Sequence, residues 1–348
     1  MSDNGNVATT VPDRMLAQIV RVQAISPIKD ADKIEVANVL GWEVVVRKDE
    51  FKVGDLAIYF SIGSILEKDN PNTSFLEGKP LLTKKLRGVV SQGLLGPLSW
   101  LEPYGVDKNS VKEDDDMTQA LKVQKWVPKD ELELYSPDSS KTPFPNYVPK
   151  TDEERIQNMS KQLPKFEGKN VIITQKFDGT STTFVVLDKN FLICGRNNIL
   201  KNETNATKHY FEIANKYNLE EQMKKLDRNL AIQGETIGPK INANRHKVTE
   251  IEFYVFNIYD IDARSYVSWN ELLDVTSKLG LKTVEVVYCG LFKQEWLSVK
   301  ELLKLADEQR YPTGQIAEGI VLKTDDGIGH TRISCKIISN NYLLKYKL

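Results

Sequence analysis

The chain has 348 residues, 41% hydrophobic and 27% charged, with a formal net charge of −1. This length and balance suit two globular domains and exclude a uniformly basic nucleic-acid binder, while leaving room for a local basic surface. No apolar run approaches the roughly 18 residues of a membrane helix.

In chain order, residues 1–14 read as a disordered tail, lacking both the basic segment and the apolar core of a signal peptide. From Met15, short apolar runs alternate with turn residues: "MLAQIVRVQAI", "KIEVANVL", "WEVVVRK", "VGDLAIYFSIGSIL" and "SQGLLGPLSWL". Strands at this spacing predict a small barrel or sandwich over 15–127. Within it "KPLLTKKLRG" (79–88) is locally basic and "KEDDDM" (112–117) acidic. Residues 128–150 carry five prolines, at 128, 137, 143, 145 and 149, which predicts a semi-rigid linker.

The remainder, 151–348, mixes strand and helix signals. "TDEE" (151–154) has the form of a capping box and predicts a helix from Thr151 to about Leu163. "NVIITQK", "TTFVVLD", "FLICGR", "LAIQGETIG", "EFYVFNIYDI", "TVEVVYCG", "GIVLKT" and "RISCKII" are rich in β-branched and aromatic residues and read as strands. Helices are predicted near 204–227, 268–279 and 298–309, the last two opened by "SWNE" and "SVKE", with Gly280 ending the middle one. Cys194, Cys289 and Cys335 are an odd, scattered set that suits a reducing, intracellular compartment. With His209, His246 and His330 they show no zinc-ligand spacing.

In "ITQKFDGTSTTFVV" (173–186) an apolar strand stops on Lys176, turns at Asp178-Gly179 and resumes. A decorated hairpin and a nucleophile held on a short loop both fit that pattern. More telling is the order of polar residues on the strands downstream. Arg196 ends "FLICGR", Glu235 ends "LAIQGE", and Phe256 lies inside "EFYVFNIYDI". Glu318 opens "EGIVLK", Lys323 closes it, and Lys336 sits in "RISCKII". No Gly-x-x-x-x-Gly-Lys-Ser/Thr loop is present to cradle phosphates.

With these residues in this order, 171–338 resembles the covalent nucleotidyltransferases: ATP-dependent RNA and DNA ligases and mRNA capping enzymes. "KFDGTS" (176–181) resembles their nucleophile motif, Arg196 the arginine that follows it, and Gly234-Glu235 their Gly-Glu motif. "FYVFNIYDI", "EGIVLK" and "SCK" are similar to the aromatic-strand, fourth and last motifs. DNA ligases and capping enzymes place an OB domain after the catalytic one, whereas Lys336 lies 12 residues before Leu348. With the β domain in front, the chain resembles the RNA ligases of the Naegleria/Deinococcus type. The implied fold is α+β: an N-terminal OB-like β-barrel followed by a nucleotidyltransferase domain of antiparallel sheets and helices. One departure stands out: many relatives carry Lys-x-Lys in the last motif, where this chain has Ser334-Cys335-Lys336. Arg332 is a candidate for the missing cation.

The resemblance implies ATP and Mg²⁺ (or Mn²⁺) as cofactors and RNA with 3′-OH and 5′-phosphate ends, in a nicked duplex, as partner, with no membrane. It implies Lys176 as the nucleophile, with Lys323 and Lys336 assisting catalysis. Asp178, Gly179, Arg196, Glu235, Phe256, Lys323 and Lys336 would bind nucleotide, and Asp178, Glu235 and Glu318 would hold the metal largely through water. A free lysine titrates near roughly 10.4, so attack requires a depressed pKa, expected here from Lys323, Lys336 and the metal. Plainer readings accompany each: Phe256 as core, Asp178 as a turn residue, Glu318 as a strand cap, Lys323 as a solvated strand end. The basic 79–88 stretch is either a solvated face or a contact for RNA phosphates. A DNA ligase or capping guanylyltransferase, and a non-catalytic OB-based RNA-binding protein, are the competing functions.

Overall fold

The computed structural model describes residues 14–126, 142–325 and 332–348. The chain divides into two units, one comprising Met1–Pro137 with Leu343–Leu348, the other Asp138–Tyr342.

In the first unit, β1 (Ala17–Pro27), β2 (Ile34–Val39), β3 (Trp42–Arg47) and β4 (Leu56–Phe60) form an antiparallel sheet. A short hairpin follows, β5 (Lys84–Leu86) with β6 (Val89–Ser91), then β7 (Leu94–Pro97), giving the sheet order β3-β2-β1-β4-β7. The sheet curls until Gln92 N–H donates to Glu43 O at 2.9 Å, joining the β3 edge to the segment before β7. Both faces of β1 are covered. Val20 and Val22 point into a core with Trp42, Val44 and Tyr59, while Ala17 and Ile19 join Ile58, Phe60 and Leu101 on the other side. The acidic 112–117 stretch runs along β1, with Asp114 N–H donating to Ile19 O (2.8 Å) and Ile19 N–H to Asp115 O (2.9 Å). The expected tail, apart from Arg14, lies outside the described residues.

In the second unit, β8 (Asn170–Lys176), β9 (Thr180–Leu187), β10 (Asn190–Cys194), β11 (Leu230–Ile237) and β12 (Glu252–Asp260) come before β13 (Val286–Leu291), β14 (Gly319–Thr324) and β15 (Ser334–Ile338). An eight-stranded sheet is centred on β10-β9-β11-β12, and a four-stranded sheet has the order β13-β8-β14-β15. The helices are α1 (Lys208–Lys216), α2 (Leu219–Lys225), α3 (Trp269–Leu279), α4 (Val299–Asp307) and α5 (Asn340–Tyr346). The predicted 204–227 helix is thus two, broken where Asn218 takes φ +46°. Ser268 caps α3 by accepting from Glu271 N–H, and Gly280 closes it at φ +65°. Ser298 precedes α4 without a side-chain cap bond.

Two expectations need correction. "TDEE" opens no helix: Lys336 N–H donates to Glu154 O (2.8 Å) and Ile156 N–H to Lys336 O (3.0 Å), so this stretch runs beside β15. The only helix nearby among the described residues is a 3₁₀ segment, Ser160–Phe166. Backbone pairing with a buried strand outcompetes a local cap bond. The described part of the proline-rich segment, 142–150, also packs on this unit: Thr142 pairs with Ile199, Val148 is buried, and Gln233 donates to Pro149 O at 2.7 Å. No helix among the described residues is long and apolar enough to cross a membrane. Cys194 and Cys335 are buried and Cys289 exposed, none in a disulfide.

Candidate active site

Strand alternation assembles the site. In β8, Val171 and Ile173 enter a core with Phe166, Trp296 and Leu302, while Ile172 enters the one that covers the large sheet. Lys176 shares the parity of Ile172, so its side chain leaves on the large-sheet side. In β14, Ile320 and Leu322 sink into the α4 core, leaving Val321 and Lys323 on the opposite face; in β15, Cys335 and Ile337 do the same and leave Ser334 and Lys336. The polar motif residues of three strands are therefore carried to one face by the burial of their neighbours.

Lys176 Nζ lies 2.7 Å from Glu318 Oε2. Gly179 N–H donates to Glu235 Oε1 at 3.0 Å, which places the third acidic group across the turn. A Cβ at Gly179 would stand 2.3 Å from Thr236 O, so only glycine allows this approach. Asp178 is held by protein donors: Arg245 (2.9 Å) and Tyr342 on Oδ2, Asn242 (3.0 Å) on Oδ1. The turn itself hangs on Tyr311, whose hydroxyl accepts from Asp178 N–H (3.2 Å) and Glu318 N–H (3.0 Å) and donates to Lys176 O (3.0 Å). His246 Nε2 also accepts from Asp178 N–H at 3.1 Å; burial pushes this imidazole down to about 4, keeping it the neutral acceptor the bond requires.

Burial lowers the Lys176 pKa, but the Glu318, Glu235 and Asp178 carboxylates outweigh it and leave the ammonium above the ordinary lysine value. Burial raises Glu235 to about 8 despite Lys176, with Glu318 and Asp178 adding repulsion. Burial also raises Glu318 against the pull of Lys176 and Lys336. Of the groups expected to depress Lys176, which were Lys323, Lys336 and the metal, neither lysine is among the charges that move it most; those are the three carboxylates, which hold the proton on.

Lys323 sits in a separate pocket lined by Phe256, Asn257, Tyr266, Trp269 and Arg332. Its Nζ donates to Phe256 O (2.7 Å) and Asn257 Oδ1 (3.2 Å), and burial with the nearby Arg332 lowers its pKa to about 7. Phe256 is a bulge: Gln233 pairs with Asn257 and Gly234 with Val255, so Phe256 has no partner across the ladder. The bulge switches the buried parity of β12 from Phe253 and Val255 to Ile258 and frees the carbonyl that Lys323 takes. Phe256 is half-buried against the core, in keeping with the plainer reading of it, and also lines the pocket. Arg332 lies 3.4 Å above the Tyr266 ring, donates to Asn257 Oδ1 (2.7 Å) and pairs with Glu153 (3.3 Å), which also accepts from Ser334 Oγ (2.5 Å). Arg196 pairs with Asp152 at 2.5 Å.

Lys176, Asp178, Gly179, Glu235 and Glu318 thus converge, Lys336 acts electrostatically on Glu318, and Lys323 with Phe256 forms the adjoining pocket. Sequence reasoning missed Tyr311, His246, Arg245, Asn242 and Tyr342, which hold the turn from loops and from α5, and Glu153, which lies inside the "TDEE" stretch. None carries a motif of its own.

The donor set fits a hard divalent cation held through water. Among the described residues no three acidic, His or Cys groups converge as direct ligands, and Asp178 is already taken up by three protein donors. Glu235 and Glu318 lie in a site whose crowded acids an added cation would relieve.

The RNA ligase family matches residues 169–347, and an OB-fold domain matches residues 16–98. No curated protein sequence matches the chain. Among solved structures, Naegleria gruberi RNA ligase with PPi is 34% identical at a TM-score of 0.84, covering 96% of this chain and 99% of that one. A lysine mutant of that ligase with ATP and Mn is 33% identical at 0.84, covering 95% and 99%. Another with AMP and Mn is 34% identical at 0.84, covering 96% and 99%. The lysine-centred site, its order along the chain and these likenesses agree, and the protein belongs to the RNA ligase family, with an OB-fold domain ahead of its ligase domain.

Proposed function

We propose that this protein is an ATP-dependent RNA ligase that seals 3′-OH and 5′-phosphate ends of a nicked RNA duplex through lysyl-AMP and RNA-adenylate intermediates. The observation that carries the reading is the strand-end Lys176, 2.7 Å from Glu318 and surrounded by three carboxylates.

Lys176 must shed a proton before it attacks the α-phosphate of ATP. Glu318, hydrogen-bonded to Nζ and with a raised pKa, is placed to take it. The new N–P bond forms as the α-phosphate parts from the bridging oxygen, and pyrophosphate leaves. An oxygen of the RNA 5′-phosphate then attacks the lysyl phosphate, restoring the lysine and yielding RNA-adenylate. Attack by the 3′-OH on the 5′-phosphate closes the strand and expels AMP. A divalent cation bound through water to Glu235 and Glu318 would neutralise the carboxylates that sustain the ammonium and offset charge on the α-phosphate. Lys336 is the cation offered to phosphate on the same face. Asp178 keeps the turn in place through Arg245, Asn242 and Tyr342. The Phe256 pocket supplies an aromatic wall for adenine, and Arg196, once released by Asp152, a fork for the ribose or phosphate.

Incubation with α-labelled ATP and a divalent cation should leave label on the wild type and none on Lys176→Ala. That variant should fail on a plain nick yet partly seal one already carrying a 5′-adenylate. Sealing of the plain nick by Lys176→Ala would remove the nucleophile assignment, and label from GTP alone would turn the reading to capping chemistry.

A further inference from the structure

We infer that the β5–β6 hairpin of the OB-fold domain is a contact for the phosphate backbone of the RNA, through Lys84, Lys85 and Arg87; this rests on RNA being the substrate. All three side chains are exposed, and none has an ion pair or side-chain hydrogen bond among the described residues. Some other cations of this unit are paired, Lys79 with Glu77, Lys108 with Glu102, Lys122 with Glu67 and Arg21 with Glu113, while Arg47 and Lys48 at the end of β3 are exposed and, among the described residues, also without an ion pair.

The presentation of these charges is rigid. Leu86 pairs with Val89 across a two-residue turn in which Arg87 takes φ +47° and Gly88 φ +86°. Both signs are those of a type I′ turn, whose first position favours Asn, Asp or Gly; an arginine there runs against local preference. The base of the hairpin is fixed to β3, where Val45 N–H donates to the buried Ser91 Oγ at 3.0 Å and Gln92 N–H to Glu43 O at 2.9 Å. Leu86 is 40% exposed at the tip, so the cations flank an apolar side chain and no acid lies within the hairpin. Strand alternation puts Lys84 and Lys85 on opposite faces of the hairpin with Arg87 in its turn, so the finger offers cations to phosphates on either side of it. The acidic 112–117 stretch, by contrast, is spent on backbone pairing with β1.

The test is binding of full-length protein to a labelled, nicked RNA duplex over a salt series, comparing wild type with Lys84→Gln/Lys85→Gln/Arg87→Gln. Each lost phosphate contact should lower the slope of log affinity against log salt by roughly 0.7 to 0.9, so the triple variant should lose about 2 to 3 and bind tens of times more weakly at low salt. Its labelling by α-labelled ATP should be unchanged, which reports that the catalytic unit is intact. The charge-keeping variant Lys84→Arg/Lys85→Arg/Arg87→Lys should restore the slope. An unchanged slope in the triple glutamine variant overturns the inference while leaving the ligase reading in place. A wild type that takes label but neither binds nor seals RNA overturns both.

Discussion

At the scale of single residues, the turn that carries Lys176 depends on groups outside the sequence motifs. Tyr311 satisfies three backbone groups, on Lys176, Asp178 and Glu318, with one hydroxyl. Tyr311→Phe leaves all three without that partner in a buried turn, a cost of about 1–3 kcal/mol. With Lys176 as the proposed nucleophile, labelling by α-labelled ATP should fall roughly 10- to 100-fold, because an ångström of drift in that amine is costly. Single-turnover labelling checks it; an unchanged rate would show that His246 alone holds the turn. His246 itself sets a pH dependence. Its folded value of about 4 lies below the unfolded value of about 6.5. Between these the unfolded chain binds more protons, so stability is intact above about 6.5 and is lost as pH falls toward 4, by up to about 3 kcal/mol. Melting curves across pH 4–7 should show the loss, and His246→Gln, which keeps an acceptor without titrating, should flatten it.

At the scale of elements, the same signal succeeded and failed within one chain. "SWNE" caps α3 because Ser268 lies where the strand has ended and its hydroxyl is free for Glu271 N–H. "TDEE" has the same form, yet Glu154 and Ile156 pair with Lys336, and Glu153 turns to Arg332 and Ser334. Two glycines separate conformational from steric demand. Gly280→Ala, at φ +65° with open space around it, should cost about 1 kcal/mol and leave activity intact. Gly319→Ala would place a Cβ 2.1 Å from Ile337 O between β14 and β15, beside Glu318. Its cost should exceed that of Gly280→Ala several-fold, with labelling by ATP lost in step. Denaturant melts and labelling on the pair check it; equal costs would show that β15 yields easily.

At the scale of the molecule, the two units have separate cores, one around Trp42 and Tyr59, the other around Phe184, Phe253 and Trp269. Calorimetry of the Lys176→Ala protein should therefore show two transitions. ATP with Mg²⁺ at about 100 times its Kd should raise only one, by roughly 2.7 kcal/mol of stabilisation, while Trp42→Ala should lower only the other. A single transition moved by both would show that the units unfold together.

The sequence by itself determined the strands, because β-branched runs bounded by turn residues answer to local sterics and to burial that alternates along the chain. It also determined the motif residues Lys176, Asp178, Glu235, Glu318 and Lys336, since their order survives whatever path the chain takes between them. Only the tertiary structure decided what those residues feel. The bulge at Phe256, the pairing of 154–156 with Lys336, the convergence of Tyr311, His246, Arg245 and Tyr342 on one turn, and the rise of Glu235 to about 8 all depend on segments far apart in sequence. Local patterns record what a residue prefers, while the charge, partner and solvent it meets come from chain that packs against it only after folding.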